Sequence, residues 1–235
     1  MVEIADIEDE KSLREWLVTR SREGAVWIAT RAAMRVLPLY WEWAFTGRER
    51  KDDLTPLPFL RCVLISSVAA VRPTENIRSA AASAYAVDAN ASAGDASAYA
   101  ACAAVGAAND AAYAADIDAA AILAAAASHA AAAAYAVAND AWIATRTDCA
   151  YLESGWMSAS PALWPDRDNP IAATWLGVKN RATEPEWAFW ITWYQDALAG
   201  VKPDWNQLER IALIDRAIWE AGPKAVAAEI DKIKK

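Results

Sequence analysis

No lysine or arginine occurs between Ser79 and Thr145, a stretch that holds six aspartates. The flanks are close to balanced, with 12 basic and 12 acidic side chains in residues 1–78 and 11 and 13 in residues 146–235. Six of the eight net negative charges therefore belong to the middle. Gripping a phosphate backbone needs clustered cations, so nucleic acid is not an expected partner. Histidine is reduced to His129, set in Ala127-Ser128-His129-Ala130. No Ser-His-Asp or Cys-His arrangement can be built around it without a nucleophile motif, and no catalytic residue is assigned. The eight glycines form neither GxGxxG nor a P-loop pattern, which removes the phosphate-cradling loops. Cys62, Cys102 and Cys149 make no CxxC pair and sit in apolar sequence, as reduced thiols of a cytosolic protein do. Asp116 and Asp118 would point to different faces of a helix, so no metal site converges there. No metal and no cofactor is expected. The opening Met1-Val-Glu-Ile-Ala-Asp6 lacks the basic and apolar regions of a signal peptide, and a cytoplasmic location is the expectation.

What fills the middle is alanine, about half of the residues from Ser79 to Thr145. One stripe spaced by threes and fours runs from Ala86 through Ala93, Ala100, Ala107, Ala114, Ala121 and Ala131 to Ala138, broken at Asp110, Ile117, Ser128 and Tyr135. A second runs beside it from Ala84 through Val87, Ala91, Ala98, Val105 and Ala112 to Ala119. Tyr85, Tyr99 and Tyr113 recur at two-heptad intervals, and Asp88, Asp95, Asn109 and Asp116 share one heptad position. Alanine is the strongest helix former, and small side chains on two faces let neighbouring helices come close. A single helix over Thr74–Glu153 would be on the order of 120 Å long, so the segment is expected to fold back near residues 88–95, near Gly106, or at Asn139-Asp140. The uncharged run Ala119–Ala138 has the length of a membrane span, but it is mostly alanine and is flanked by Asp116, Asp118 and Asp140 with no cation to orient it. A packed helix is the better reading, and no membrane association is expected.

The remaining chain reads as helices with legible ends. Ser12-Leu-Arg-Glu15 reads as a capping box, with Leu13, Trp16 and Leu17 on one face of the helix that follows. Gly24 interrupts it. Ala25–Leu37 reads as a second helix, with Ile28, Ala32, Arg35 and Val36 on one face, stopped by Pro38. Residues 47–53 form a charged connector, and Leu57–Val71 a buried helix launched by Thr55-Pro56. Thr74 is placed as the cap of the alanine segment. Beyond an irregular stretch over 153–169, helices are expected over Ile171–Val178, from the Thr183–Glu186 box to Gly200, from Asp204 to Gly222-Pro223, and over Lys224–Ile233.

The expected fold is all-α: a multi-helix bundle with an N-terminal helical cap (1–73), a central alanine-rich heptad layer (74–153) and a Trp-rich C-terminal bundle (154–235). Trp187, Trp190, Ile191, Tyr194 and Leu198 share one face of the aromatic helix, with Phe189 and Trp193 on another. Large rings there fill the space that alanine cannot, or line a binding site, for which Trp187, Trp190, Trp193 and Tyr194 are the candidates. Asp88, Asp95 and Asp116 form a solvated edge or an acidic strip for a basic partner. The leading functional expectation is a non-enzymatic interaction or assembly module whose partner is another protein or a second copy. The alternatives are a small-molecule sensor or enzyme with an aromatic pocket in the C-terminal third, and a membrane-inserting effector acting through Ala119–Ala138.

The segments Ser12–Leu17, Ala29–Leu39, Trp187–Tyr194 and Ile218–Val226, with the alanine repeat between them, resemble a group of bacterial alanine- and tryptophan-rich helical proteins that have no assigned activity. The resemblance implies a bacterial, cytosolic, helical protein and brings no role for any residue.

Overall fold

The structure is a computed structural model that describes residues 2–46, 55–84, 138–155, 160–165 and 168–235. Among these residues all regular structure is helical: an all-α bundle with no strand. The heptad stripes between Tyr85 and Val137, the acidic strip of Asp88, Asp95 and Asp116, His129, Cys102 and the connector at 47–53 lie outside the described residues.

After a 3-10 turn at Ile4–Asp6, helix α1 spans Glu10–Leu17. Its cap is Asp9, not Ser12: the Asp9 carboxylate accepts from the Ser12 N–H at 2.8 Å, and the Ser12 hydroxyl accepts from the Asp9 N–H at 3.2 Å. The capping box is real but begins three residues earlier than its Ser-x-x-Glu spelling, because a carboxylate is at least as good a cap as a hydroxyl. The Ser12 N–H, and the Ser12 hydroxyl donating to Asp9 Oδ1 at 2.7 Å, hold the Asp9 carboxyl below its ordinary range.

Helix α2, Arg22–Thr46, begins before Gly24 and continues through Pro38. A proline inside a helix forfeits one backbone hydrogen bond and costs about 3 kcal/mol. Here the turn beyond it carries Tyr40, Trp41 and Ala44, all buried, and burial of two large rings offsets the loss at about 1.5–3 kcal/mol for each large side chain. Almost every residue from Ala25 to Leu37 is buried, so α2 is the central rod of the bundle. It packs against α3 (Leu57–Val71), α5 (Ala138–Glu153) and α6 (Ala172–Arg181), while α3 also meets α4 (Glu75–Ala84). The Thr74 hydroxyl accepts from the Ile77 N–H at 3.3 Å, as its place before α4 predicts. Asn139 and Asp140 fall in the first turn of α5.

In the C-terminal part, α6 starts at Ala172, later than the Asn169-Pro170 signal suggests, because the Asn169 side chain accepts from the Ile171 N–H in a local turn instead of capping the helix. Pro185–Trp187 is a 3-10 turn that feeds α7, Ala188–Ala199, with no side-chain cap from Thr183. Helix α7 stops at Gly200, which has φ 71°, as expected of a glycine at that position. The stretch read as one helix from Asp204 is two: α8, Trp205–Ala212, capped by Asp204, and α9, Arg216–Glu220, capped by Asp215 through the Ala217 N–H at 2.7 Å. A second competent cap inside the run restarts the helix on a new axis. Helix α10, Pro223–Ile233, closes the chain. Helix α8 packs on α3, and Arg72 meets Glu209 at 2.9 Å across that contact.

One apolar cluster runs continuously from Ile7 to Ile230 and joins the N-terminal helices to the C-terminal ones. Its heaviest part is aromatic. Trp41 contacts Trp175 at 5.9 Å and Trp187 at 6.0 Å, and Tyr194 stands edge-on to Trp175 at 4.6 Å. Each such pair adds about 0.5–1.5 kcal/mol beyond the area it buries.

Candidate functional site

Two arginines one turn apart on the central rod organise the neighbourhood of the site. Arg31 and Arg35, 6 % and 1 % exposed, both reach Asp148 of α5, which is completely buried. Arg31 Nε donates to Asp148 Oδ1 at 2.8 Å and Arg35 Nη2 to Oδ2 at 2.5 Å. Their other donors hold a loop in place: Arg31 bonds the carbonyls of Pro161 and Ala162 at 2.7 and 2.6 Å, and Arg35 Nε bonds that of Leu163 at 2.8 Å. Guanidinium suits this work because its fork of five N–H donors can serve a carboxylate and several carbonyls at once. Burial pushes the Arg31 pKa down and the Asp148 charge pushes it back up.

The clamped loop rests on the end of α7. A Cβ added at Gly200 would stand 2.7 Å from the Ala162 backbone nitrogen and 3.2 Å from the Ser160 carbonyl oxygen, so the close approach needs glycine there as much as the left-handed φ does. Ser160 itself adopts φ 48°, a conformation uncommon outside glycine and asparagine.

Between α2, this loop, α7 and the start of α8 lies a cavity of about 330 Å³. Helical spacing explains its walls. Trp27, Thr30, Arg31 and Met34 come from one face of α2; Phe189, Thr192, Trp193, Asp196 and Ala197 come from one face of α7. Trp205 and Leu208 close a third side, and Lys202 and Lys234 stand at the exposed mouth with Asp196 and Asp204. The Arg31 guanidinium lies over the Trp27 ring at 4.8 Å, which fixes that wall. Two of the lining residues, Thr30 and Trp205, each carry an enclosed polar atom, the hydroxyl and the indole N–H, without a hydrogen-bond partner among the described residues.

Of the four aromatic candidates read from sequence, Trp193 lines this cavity. Trp187, Trp190 and Tyr194 turn the other way into the core, where burial pushes the Tyr194 hydroxyl pKa up. The two faces of α7 assigned from spacing are thus a core face and a cavity face, and Phe189 with Trp193 marks the latter. The cavity is not confined to the C-terminal third, since α2 supplies one wall. Thr30, Arg31, Asp148 and Trp205 were not singled out by the sequence. A signal for the arginines was nonetheless present: Arg35 falls on the apolar face of α2, and a charge placed there needs a buried partner. Among the described residues no three His, Cys, Asp or Glu side chains converge as metal ligands, and no helix is long and apolar enough to cross a membrane. Compared with known proteins, the chain matches no family model, no curated protein and no solved structure, so roles for its residues rest on this geometry.

Proposed function

We propose that this protein binds a small molecule with a flat, largely apolar body in the cavity between α2, α7 and α8. The observation that supports it is the convergence of Trp27, Phe189, Trp193 and Trp205, drawn from three helices, on one space of about 330 Å³. Ligand sites fall at roughly 300–1,000 Å³ and combine apolar walls with a few placed polar groups. Close packing is the rule in a protein interior, and a space of this size bordered by rings is what a binding site requires and a filled core does not. The reading is a binding or sensing role, with no catalytic residue assigned.

The test uses three naphthalene compounds of nearly equal size: 2-naphthoate, 2-naphthamide and 2-naphthylmethylammonium. At least one is expected to bind the full-length protein saturably at one site by isothermal titration. Ala197→Phe, which projects a ring into the cavity from α7, should abolish that binding without lowering helicity. Absence of binding by all three, or equal binding by the Ala197→Phe variant, refutes the proposal.

Assembly through helix surfaces remains a separate proposal that rests on the alanine stripes in the sequence. Its test is a mass by light scattering that rises with concentration, and a constant monomer mass counts against it.

A further inference from the structure

We infer that Asp148, which stands outside the cavity, is a positioning residue for it: Asp148 orients Arg31, and Arg31 holds residues 160–162 in place as one wall. This rests on the binding role proposed above.

Asp148 belongs to α5, is completely buried and has no place on the cavity lining, so it cannot touch a guest there. Arg31 lines the cavity, and so do Ser160, Pro161 and Leu163. The bonds that join them are continuous. Asp148 Oδ1 accepts from Arg31 Nε at 2.8 Å, while Arg31 Nη1 and Nη2 donate to the Pro161 and Ala162 carbonyls at 2.7 and 2.6 Å. All three nitrogens of one planar group are engaged, so the carboxylate that fixes Nε also fixes the plane from which the other two donate. The second Asp148 oxygen is held by Arg35 Nη2, which keeps the carboxylate from turning.

Residues 160–162 have little else to hold them. They are half-buried, whereas Leu163 and Trp164 beyond them are anchored in the apolar core. Among the described residues, the hydrogen bonds made by 160–165 are the three donated by Arg31 and Arg35. Ser160 also sits at φ 48°, a conformation that persists only where the surroundings enforce it. The enforcing contacts are the Arg31 bonds and the close approach of the Ala162 nitrogen to Gly200.

A wall ordered before the guest arrives spares binding the cost of ordering it. Fixing the backbone of one residue shifts an equilibrium by a factor of about ten, so releasing even part of 160–162 should show in affinity. Asp148→Asn keeps the size, removes the charge and turns an amide donor toward a guanidinium that can only donate, so one arginine loses its partner.

The experiment is isothermal titration of the intact protein with 2-naphthoate, 2-naphthamide and 2-naphthylmethylammonium, at a temperature where each variant keeps the helicity of the parent. For whichever compound the parent binds most tightly, Asp148→Asn is expected to lower the affinity at least about tenfold. Leu13→Ala controls for lost stability: it truncates a completely buried side chain of α1, off the cavity lining, and should leave affinity within about twofold. Gly200→Ala disturbs 160–162 and leaves Asp148 in place. Combined with Asp148→Asn it should lose less affinity than the two separate losses multiplied, because both act through one segment. Unchanged affinity in Asp148→Asn, or an equal loss in Leu13→Ala, overturns the positioning role while the binding role stands. Losses that multiply in the double variant mean that Asp148 acts elsewhere than through 160–162, and overturn it as well. Where Asp148→Asn does not fold, Gly200→Ala carries the test, and unchanged affinity there overturns the role given to 160–162. If the parent binds none of the three compounds, the binding role fails and the positioning role with it.

Discussion

Removing the Asp148 carboxylate should be the most damaging single change available at one side chain in this bundle. The residue is completely buried, and its two oxygens are held at 2.8 and 2.5 Å by guanidinium groups that are themselves 6 % and 1 % exposed. Asp148→Ala deletes two charge-assisted hydrogen bonds, each about 1.5–3 kcal/mol, and leaves two like charges one turn apart in the interior. Breaking one member of a buried ion cluster costs about 3–5 kcal/mol in total, partly offset as the arginines reach for water. A chain of this size has about 5–15 kcal/mol to lose. With a urea dependence of about 2 kcal/mol per molar, the unfolding midpoint should fall by about 2 M. The assay is urea unfolding followed by circular dichroism and tryptophan fluorescence. A second variant isolates the cause: in Asp148→Ala/Arg35→Met one of the two orphaned charges is gone, so the double variant should be more stable than the sum of its parts predicts. Arg35→Met should still carry the cost of a released Leu163 carbonyl. A midpoint for Asp148→Ala within about 0.3 M of the parent, or strict additivity in the double variant, would refute the charge-cluster reasoning.

Gly200→Ala should cost about 2 kcal/mol or more, because it combines a left-handed backbone with a backbone contact at 2.7 Å, and it should also weaken ligand binding by shifting the loop. Gly155→Ala, with φ 75° and nothing within 4 Å, should cost about 1 kcal/mol; equal melting-temperature losses in the two would remove the close-packing argument. Burial raises the Cys62 pKa to about 12 and raises those of Cys149 and Tyr194 as well. Above the ordinary thiol pKa of 9.0 the unfolded chain sheds these protons and the folded one keeps them. Stability should then be full below pH 9 and fall above it, by up to about 1.4 kcal/mol per pH unit per group. Unfolding midpoints that stay level from pH 8 to pH 10.5 would contradict this, and Cys62→Ala/Cys149→Ala should flatten the fall. The same burial predicts that in a Cys102→Ser background no thiol reacts with a disulfide reagent under native conditions, while two react after denaturation; labelling of the native protein would show either site to be open.

What the letters alone reveal about this chain follows the range of the forces involved. Helix class, the stop at Gly200 and the caps at Thr74 and Asp204 depend on groups within four residues of each other, and they were legible from the letters alone. The separation of α7 into two faces was equally legible, because helical periodicity is a local property. Sequence pattern and structure part where two local signals compete. Asp9 outranked Ser12 as a cap, Asp215 split a run that reads as one helix, and packing of Tyr40 and Trp41 carried α2 through Pro38.

The sequence by itself therefore determined the helical class and several helix ends, and it marked α7 as the place where aromatic side chains concentrate. Only the tertiary structure decided which aromatic face is core and which borders a cavity. The partners that make that choice are far away along the chain: Arg31 meets Asp148 across 117 residues and Pro161 across 130. Contacts at such separation are set by how whole helices pack, and no pattern within one helix records which neighbour its exposed face will meet.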